Sequence, residues 1–219
     1  MNNIGAVGII HRFQSIEAQC SELDKAMNAG NNKFNYDNIG IAVGVNGDYK
    51  DRLDQLIGIF AKNNEKFETP TKLWICFDTA NGFSSMVEDA ITWFTKEYGF
   101  YISDDMIIMT GNVASYEGVK FLNDLGVDVV RVGISGGRMC QTGDVSGIFF
   151  PMASLLDEIR NGKIVDLEDD NISRDILICA DGGIKNTGDV IKCFAMASDL
   201  VMLGSALAGF DESASAYIS

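Results

Sequence analysis

The chain has 219 residues, 47% of them hydrophobic, which suits one sizeable core and a single domain spanning 1–219. Its 31 acidic residues against 17 basic ones leave a formal charge of −14, the wrong sign for nonspecific binding to nucleic acid or to an anionic membrane. The five cysteines (Cys20, Cys76, Cys140, Cys179 and Cys193) are odd in number and lack CxxC spacing, which disfavours a disulfide framework or a zinc site and points to a reducing cytoplasm.

In chain order, the opening MNNIGAVGIIHRF shows neither the cationic start nor the cleavage site of a signal peptide. No apolar run reaches the roughly 20 residues that span a bilayer. Apolar, β-branched runs predict strands at 6–10, 39–45, 73–78, 106–110, 127–134, 176–180 and 200–203. Helical periodicity fills the gaps at 15–27, 51–65, 84–98, 115–125, 151–161 and 188–197. Near-continuous hydrophobic strands alternating with amphipathic helices read as parallel strands buried on both faces, hence an α/β protein. The strands finish in polar loops: FDTANG, TGNVAS, VGISGG, ADGGI and LGSALAG. Both doubly wound sheets and (β/α)8 barrels build their sites from such loops. No GxGxxG opens a first helix with an acidic residue about 20 positions on, so a Rossmann fold is disfavoured. A (β/α)8 TIM-type barrel is expected, apparently incomplete, because seven strands are recognisable rather than eight.

Three loops carry chemistry. VGISGGRMCQT (132–142) puts Cys140 on a glycine-rich loop after an apolar strand, with the Thr142 hydroxyl two residues on to relay a proton. The plain alternative is a small buried cysteine. In ADGGI, Asp181 could accept from a ribose diol while Gly182 and Gly183 admit close backbone approach; alternatively Asp181 merely caps a tight turn. LGSALAG repeats the pattern with Gly204 and Ser205, and in barrels the loops after the seventh and eighth strands often grip phosphate through backbone amides. His11, the single histidine, reads as a strand-end residue hydrogen-bonded to backbone.

In that order and spacing, TGNVAS, VGISGGRMCQT, ADGGIKNTGDV and VMLGSALAG resemble the IMP dehydrogenase/GMP reductase family of purine-nucleotide barrels. The resemblance covers nearly the whole chain. It implies that Cys140 is the nucleophile adding to C2 of the purine and that Thr142 assists proton transfer. It further implies that Asp181 holds the ribose hydroxyls, that Asn112 lines the purine pocket, and that Gly182, Gly183, Gly204 and Ser205 surround the nucleotide. Asp78, Thr79, Ala80, Asn81 and Gly82 match the segment meeting the nicotinamide cofactor. The carbonyls of Ser135, Gly137 and Cys140 fall where the family binds a monovalent cation, K+.

Only a short polar stretch stands where IMP dehydrogenases carry a regulatory insertion domain, and HRF, ANGFS and AGFDES look more like GMP reductases. Arg138 stands where most relatives carry serine; it could meet a substrate phosphate or be a solvated loop residue. The implied reaction is reductive deamination of GMP to IMP with NADPH. The alternatives are IMP dehydrogenase with NAD, or a nucleotide-binding subunit without catalysis. The family's first strand and its C-terminal flap with the catalytic acid have no counterpart in this sequence. The chain alone is therefore expected to turn over poorly and to work as a homo-oligomer or with a complementing chain.

Overall fold

Each strand of this protein lies beside the strand that precedes it in the chain. The computed structural model describes residues 6–29, 39–65, 71–134, 150–168 and 176–210. The elements are β1 (Gly8–Ile10), α1 (Ile16–Asn28), β2 (Ile39–Val43), α2 (Tyr49–Asn64), β3 (Leu73–Asp78), α3 (Ser85–Asp105) and β4 (Met106–Val113). They continue with α4 (Tyr116–Asp124), β5 (Val129–Val132), α5 (Met152–Glu168), β6 (Leu177–Asp181), α6 (Thr187–Ala195), β7 (Leu200–Met202) and a 3-10 turn at Ser205–Leu207. The chain is α/β, and among the described residues seven parallel strands with intervening helices follow the order of an incomplete (β/α)8 barrel. The strand order never reverses, as a doubly wound sheet would require.

Two compact units divide the chain, 1–79 with 84–110, and 80–83 with 111–219. In the first, β1 pairs with β2 and β2 with β3, in parallel, with Gly8 opposite Ile39 and Ile39 opposite Leu73. Every residue of β2 is buried, and so is every residue of β3 except Asp78. That is why both read as unbroken apolar runs. Ser15 caps α1 by accepting from the Ala18 amide, and Cys20, Leu23 and Met27 line the buried stripe of that helix. Gln19 is buried too, and it is satisfied: its amide donates to the carbonyls of Ile10 and Ala42, while Arg52 Nη1 donates to its Oε1 at 2.7 Å. Phe77 and Phe94 meet edge to face at 5.6 Å in the core of this unit.

In the second unit, β5 pairs with β6 and β6 with β7, again in parallel. Leu122, Val130, Leu155 and Ile178 are buried to 1% exposure or less. Asn186 caps α6 by accepting from the Asp189 amide. Several boundaries differ from the sequence reading, among them that of α5, which continues past Asn161 to Glu168. β4 runs on to Val113 instead of ending at Thr110, and α3 continues past Tyr98 to Asp105. β5 is shorter than 127–134, because the Val127 amide is already committed to the Leu122 carbonyl and Gly133 turns to φ +122°. Among the described residues, no helix is long and apolar enough to cross a membrane, and no group of three or more His, Cys, Asp or Glu could hold a metal ion.

Candidate active site

The second unit gathers three polar side chains at the ends of adjacent strands. Arg131, in the middle of β5, is the register partner of Cys179 in β6. Side chains two apart along a strand share a face, so Asp181, the last residue of β6, stands on the face that Arg131 occupies. The guanidinium closes on it, with Nη2 donating to Asp181 Oδ2 at 2.7 Å and Nε to the same oxygen at 3.1 Å. Asn112, the next-to-last residue of β4, donates from Nδ2 to that oxygen at 2.8 Å and to the Gly133 carbonyl at 2.9 Å. All three donors meet at Oδ2. With side-chain exposures of 13% for Arg131 and 19% for Asp181, the pair is screened less than a surface ion pair.

The backbone around this cluster demands glycine. A Cβ on Gly133 would strike the carbonyl oxygen of Asp181, and its φ of +122° is one that other residues avoid. Gly133 thereby lets the end of β5 lie flush against the end of β6. Gly182 and Gly183, at φ +111° and +75°, then turn the chain away immediately after Asp181. A pocket of about 380 Å³ opens here, a size suited to a small ligand. Gly133, Asp181, Gly182 and Gly183 line it from the strand ends, and Met152 and Cys193 from α5 and α6. Asp181 is opposite Met202 in β7, so Gly204 and Ser205 follow directly on the neighbouring strand end, both exposed.

The sequence reading placed Asn112 and Asp181 in loops; both belong to strands, and they contact each other. Arg131 escaped it. The available signal was a lone cation inside the apolar run VDVVRVGI, where a charge that leaves water needs a partner.

In the first unit, Asp78 closes β3 and accepts at Oδ2 from Arg12 Nε at 3.1 Å; both side chains are partly exposed. Thr79 is half-buried. Ala80, Asn81 and Gly82 belong to the second unit. There Asn81 Oδ1 accepts from the Phe83 amide at 3.1 Å, and the Gly82 amide donates to the Asn112 carbonyl at 2.9 Å. His11 is exposed and accepts from the Phe13 amide at Nδ1, the backbone role read for it from sequence. Ser135, Gly137, Arg138, Cys140 and Thr142 lie outside the described residues.

The other four cysteines (Cys20, Cys76, Cys179 and Cys193) are all buried. Burial pushes the thiols of Cys20 and Cys193 above the usual range, and nearby Glu17 and Asp189 add to the effect. A raised thiol stays protonated and is a poor nucleophile near neutral pH. Brief iodoacetamide treatment of the native chain at mildly alkaline pH is therefore expected to alkylate Cys140 first. Peptide mapping checks this, and preferential labelling of Cys179 or Cys193 would overturn it.

The sequence pattern described as "IMP dehydrogenase / GMP reductase domain" matches residues 1–219. The inosine-5'-monophosphate dehydrogenase of Rhizobium tropici is 42% identical over 137 residues, 62% of this chain and 25% of that protein. The enzyme of the same name from Bacillus subtilis is 35% identical over 175 residues, 80% of this chain and 31% of that protein. The GMP reductase of Caenorhabditis elegans is 29% identical over 213 residues, 97% of this chain and 52% of that protein. This chain thus spans between a quarter and about half of these relatives. With the whole chain matched, and with parallel strands that end in an Asn112–Arg131–Asp181 cluster beside a glycine turn, the chain belongs to the IMP dehydrogenase/GMP reductase family.

Proposed function

We propose that this chain supplies the nucleotide-binding and catalytic part of a GMP reductase-type oxidoreductase, converting GMP to IMP with NADPH. The observation that carries this over the dehydrogenase reading is breadth. The likeness to a GMP reductase extends over 97% of the chain, whereas the dehydrogenases of Rhizobium tropici and Bacillus subtilis match 62% and 80%.

In this reading Asp181 turns its Oδ1, the oxygen that Arg131 and Asn112 leave unengaged, toward the ribose hydroxyls. The turn at Gly182 and Gly183 and the adjacent Gly204–Ser205 segment bring backbone amides to the 5′-phosphate, with Arg138 adding a positive charge. The Cys140 thiolate attacks C2 of the purine, and the C2–nitrogen bond breaks to release ammonia. Thr142 helps to move the proton. The half-buried Asp78 carboxylate and Thr79 hydroxyl form a donor and acceptor set that fits the hydroxyl and carboxamide groups of a nicotinamide cofactor. When bound, NADPH would supply the hydride that reduces C2, after which the C2–sulfur bond breaks to free IMP and restore the Cys140 thiolate. K+ would be held by the carbonyls of Ser135, Gly137 and Cys140.

Intact-mass measurement of the purified chain with GMP, followed by peptide mapping, tests the chemistry. A species heavier by GMP less ammonia, located at Cys140, is expected. Parallel assays of NADPH oxidation with GMP and NAD reduction with IMP separate the two reactions, and activity only in the second would establish the dehydrogenase reading instead. Absence of both adduct and turnover, with nucleotide still bound, would leave a binding subunit. Light scattering on the same samples is expected to find the active species associated, with itself or with a complementing chain.

A further inference from the structure

We infer that Arg131 is a positioning residue of the nucleotide site, acting through Asp181 to present one carboxylate oxygen to a vicinal diol. The inference rests on the proposed ribose role of Asp181 and goes beyond it by assigning the residue that makes Asp181 fit for that role. A carboxylate at a strand end can rotate, and each of its oxygens can take a ligand hydroxyl. Here Oδ2 is committed three times, to Arg131 Nη2 at 2.7 Å, Arg131 Nε at 3.1 Å and Asn112 Nδ2 at 2.8 Å. Turning the carboxylate would break all three bonds, so the plane of the group is set and Oδ1 has one direction to face. Preorganisation of this kind improves binding by removing the ordering cost from the ligand's account.

Charge gives the second reason. The chain carries a net −14, and a nucleotide monophosphate brings further negative charge. An unpaired, largely buried carboxylate beside such a ligand would repel it through a poorly screening medium. Arg131 cancels that charge without covering Oδ1. The fork of the guanidinium also matters, because two of its N–H groups reach one oxygen from fixed directions. A lysine in its place would keep the charge but offer a single mobile ammonium.

Calorimetric affinities for GMP and 2′-deoxy-GMP test this on the full chain, comparing the parent with Arg131→Met, Arg131→Lys and Asp181→Asn. A charge-assisted bond to a ribose hydroxyl is expected to make the parent favour GMP about tenfold or more. Arg131→Met and Asp181→Asn are each expected to reduce that preference to about threefold or less, and Arg131→Lys to an intermediate value. Loss of packing alone would weaken both nucleotides together and leave their ratio in place, so the ratio reads positioning rather than stability. Should Arg131→Met not fold, Arg131→Lys carries the comparison, because it retains the buried charge pair. A parent that favours GMP, with both Arg131 variants favouring it equally, overturns the role of Arg131 alone. A parent without preference, or one that binds neither nucleotide, overturns the ribose reading beneath it as well.

Discussion

Cys140→Ala is expected to abolish the GMP adduct and to lower NADPH oxidation to the uncatalysed level, a loss of about 10⁴-fold or more for removal of a covalent nucleophile. GMP affinity is expected to stay within about threefold, since a thiol makes little ground-state contact with the nucleotide compared with its phosphate and ribose. The strength of this expectation comes from the other thiols. Cys20, Cys76, Cys179 and Cys193 are buried in helices and strands, and although Cys193 lines the pocket, burial and nearby Asp189 keep its thiol protonated and a poor substitute nucleophile. Thr142→Val is the graded companion, expected to cost roughly 10²–10⁴ in rate while leaving the adduct detectable. An adduct that persists in Cys140→Ala would remove Cys140 from the mechanism.

Asp181→Ala is expected to damage binding and fold together. From sequence, Asp181 reads as a loop carboxylate with little bearing on stability. In the structure it ends β6 and neutralises Arg131, whose side chain is only 13% exposed. Removing the acid leaves that guanidinium with a lost partner in a mostly dry position, at a cost of about 1–3 kcal/mol. For a chain of this size that is a fall in melting temperature of roughly 2–4 °C per kcal/mol. Weakening of GMP binding by about tenfold or more should accompany it. Thermal melting monitored by circular dichroism, beside calorimetry with GMP, separates the two effects. Unchanged affinity would refute the ribose role, and an unchanged melting temperature would show that the ion pair contributes nothing to the fold.

The strands were legible from sequence wherever both of their faces are buried. β2 (IGIAV) and the first five residues of β3 (LWICF) carry no charged side chain because neither side meets water. Strand ends were less so. Gly111 and Asn112 are turn-forming types, yet they extend β4, since the amide of Gly133 pairs with the carbonyl of Val113 and keeps the ladder going. α3 likewise continues past the expected end at 98: one glycine, Gly99, costs a helix only about 1 kcal/mol, and the helix runs through it. In the site, the single residues Asn112 and Asp181 could be picked out by motif. Their union with Arg131 could not, because it depends on register: only when Arg131 lies opposite Cys179 do Arg131 and Asp181 reach one another.

Pairing of each strand with its predecessor bears on how the protein is made. Gly8 meets Ile39 and Ile39 meets Leu73, and later Val129 meets Leu177 and Cys179 meets Leu200. A ribosome delivering about 5–20 residues per second would release each of these strands only seconds after the neighbour on which it docks. None has to wait for a segment at the far end of the message. The growing sheet then extends at the edge of the strand made last, and the next βα unit to emerge is the one that pairs with it.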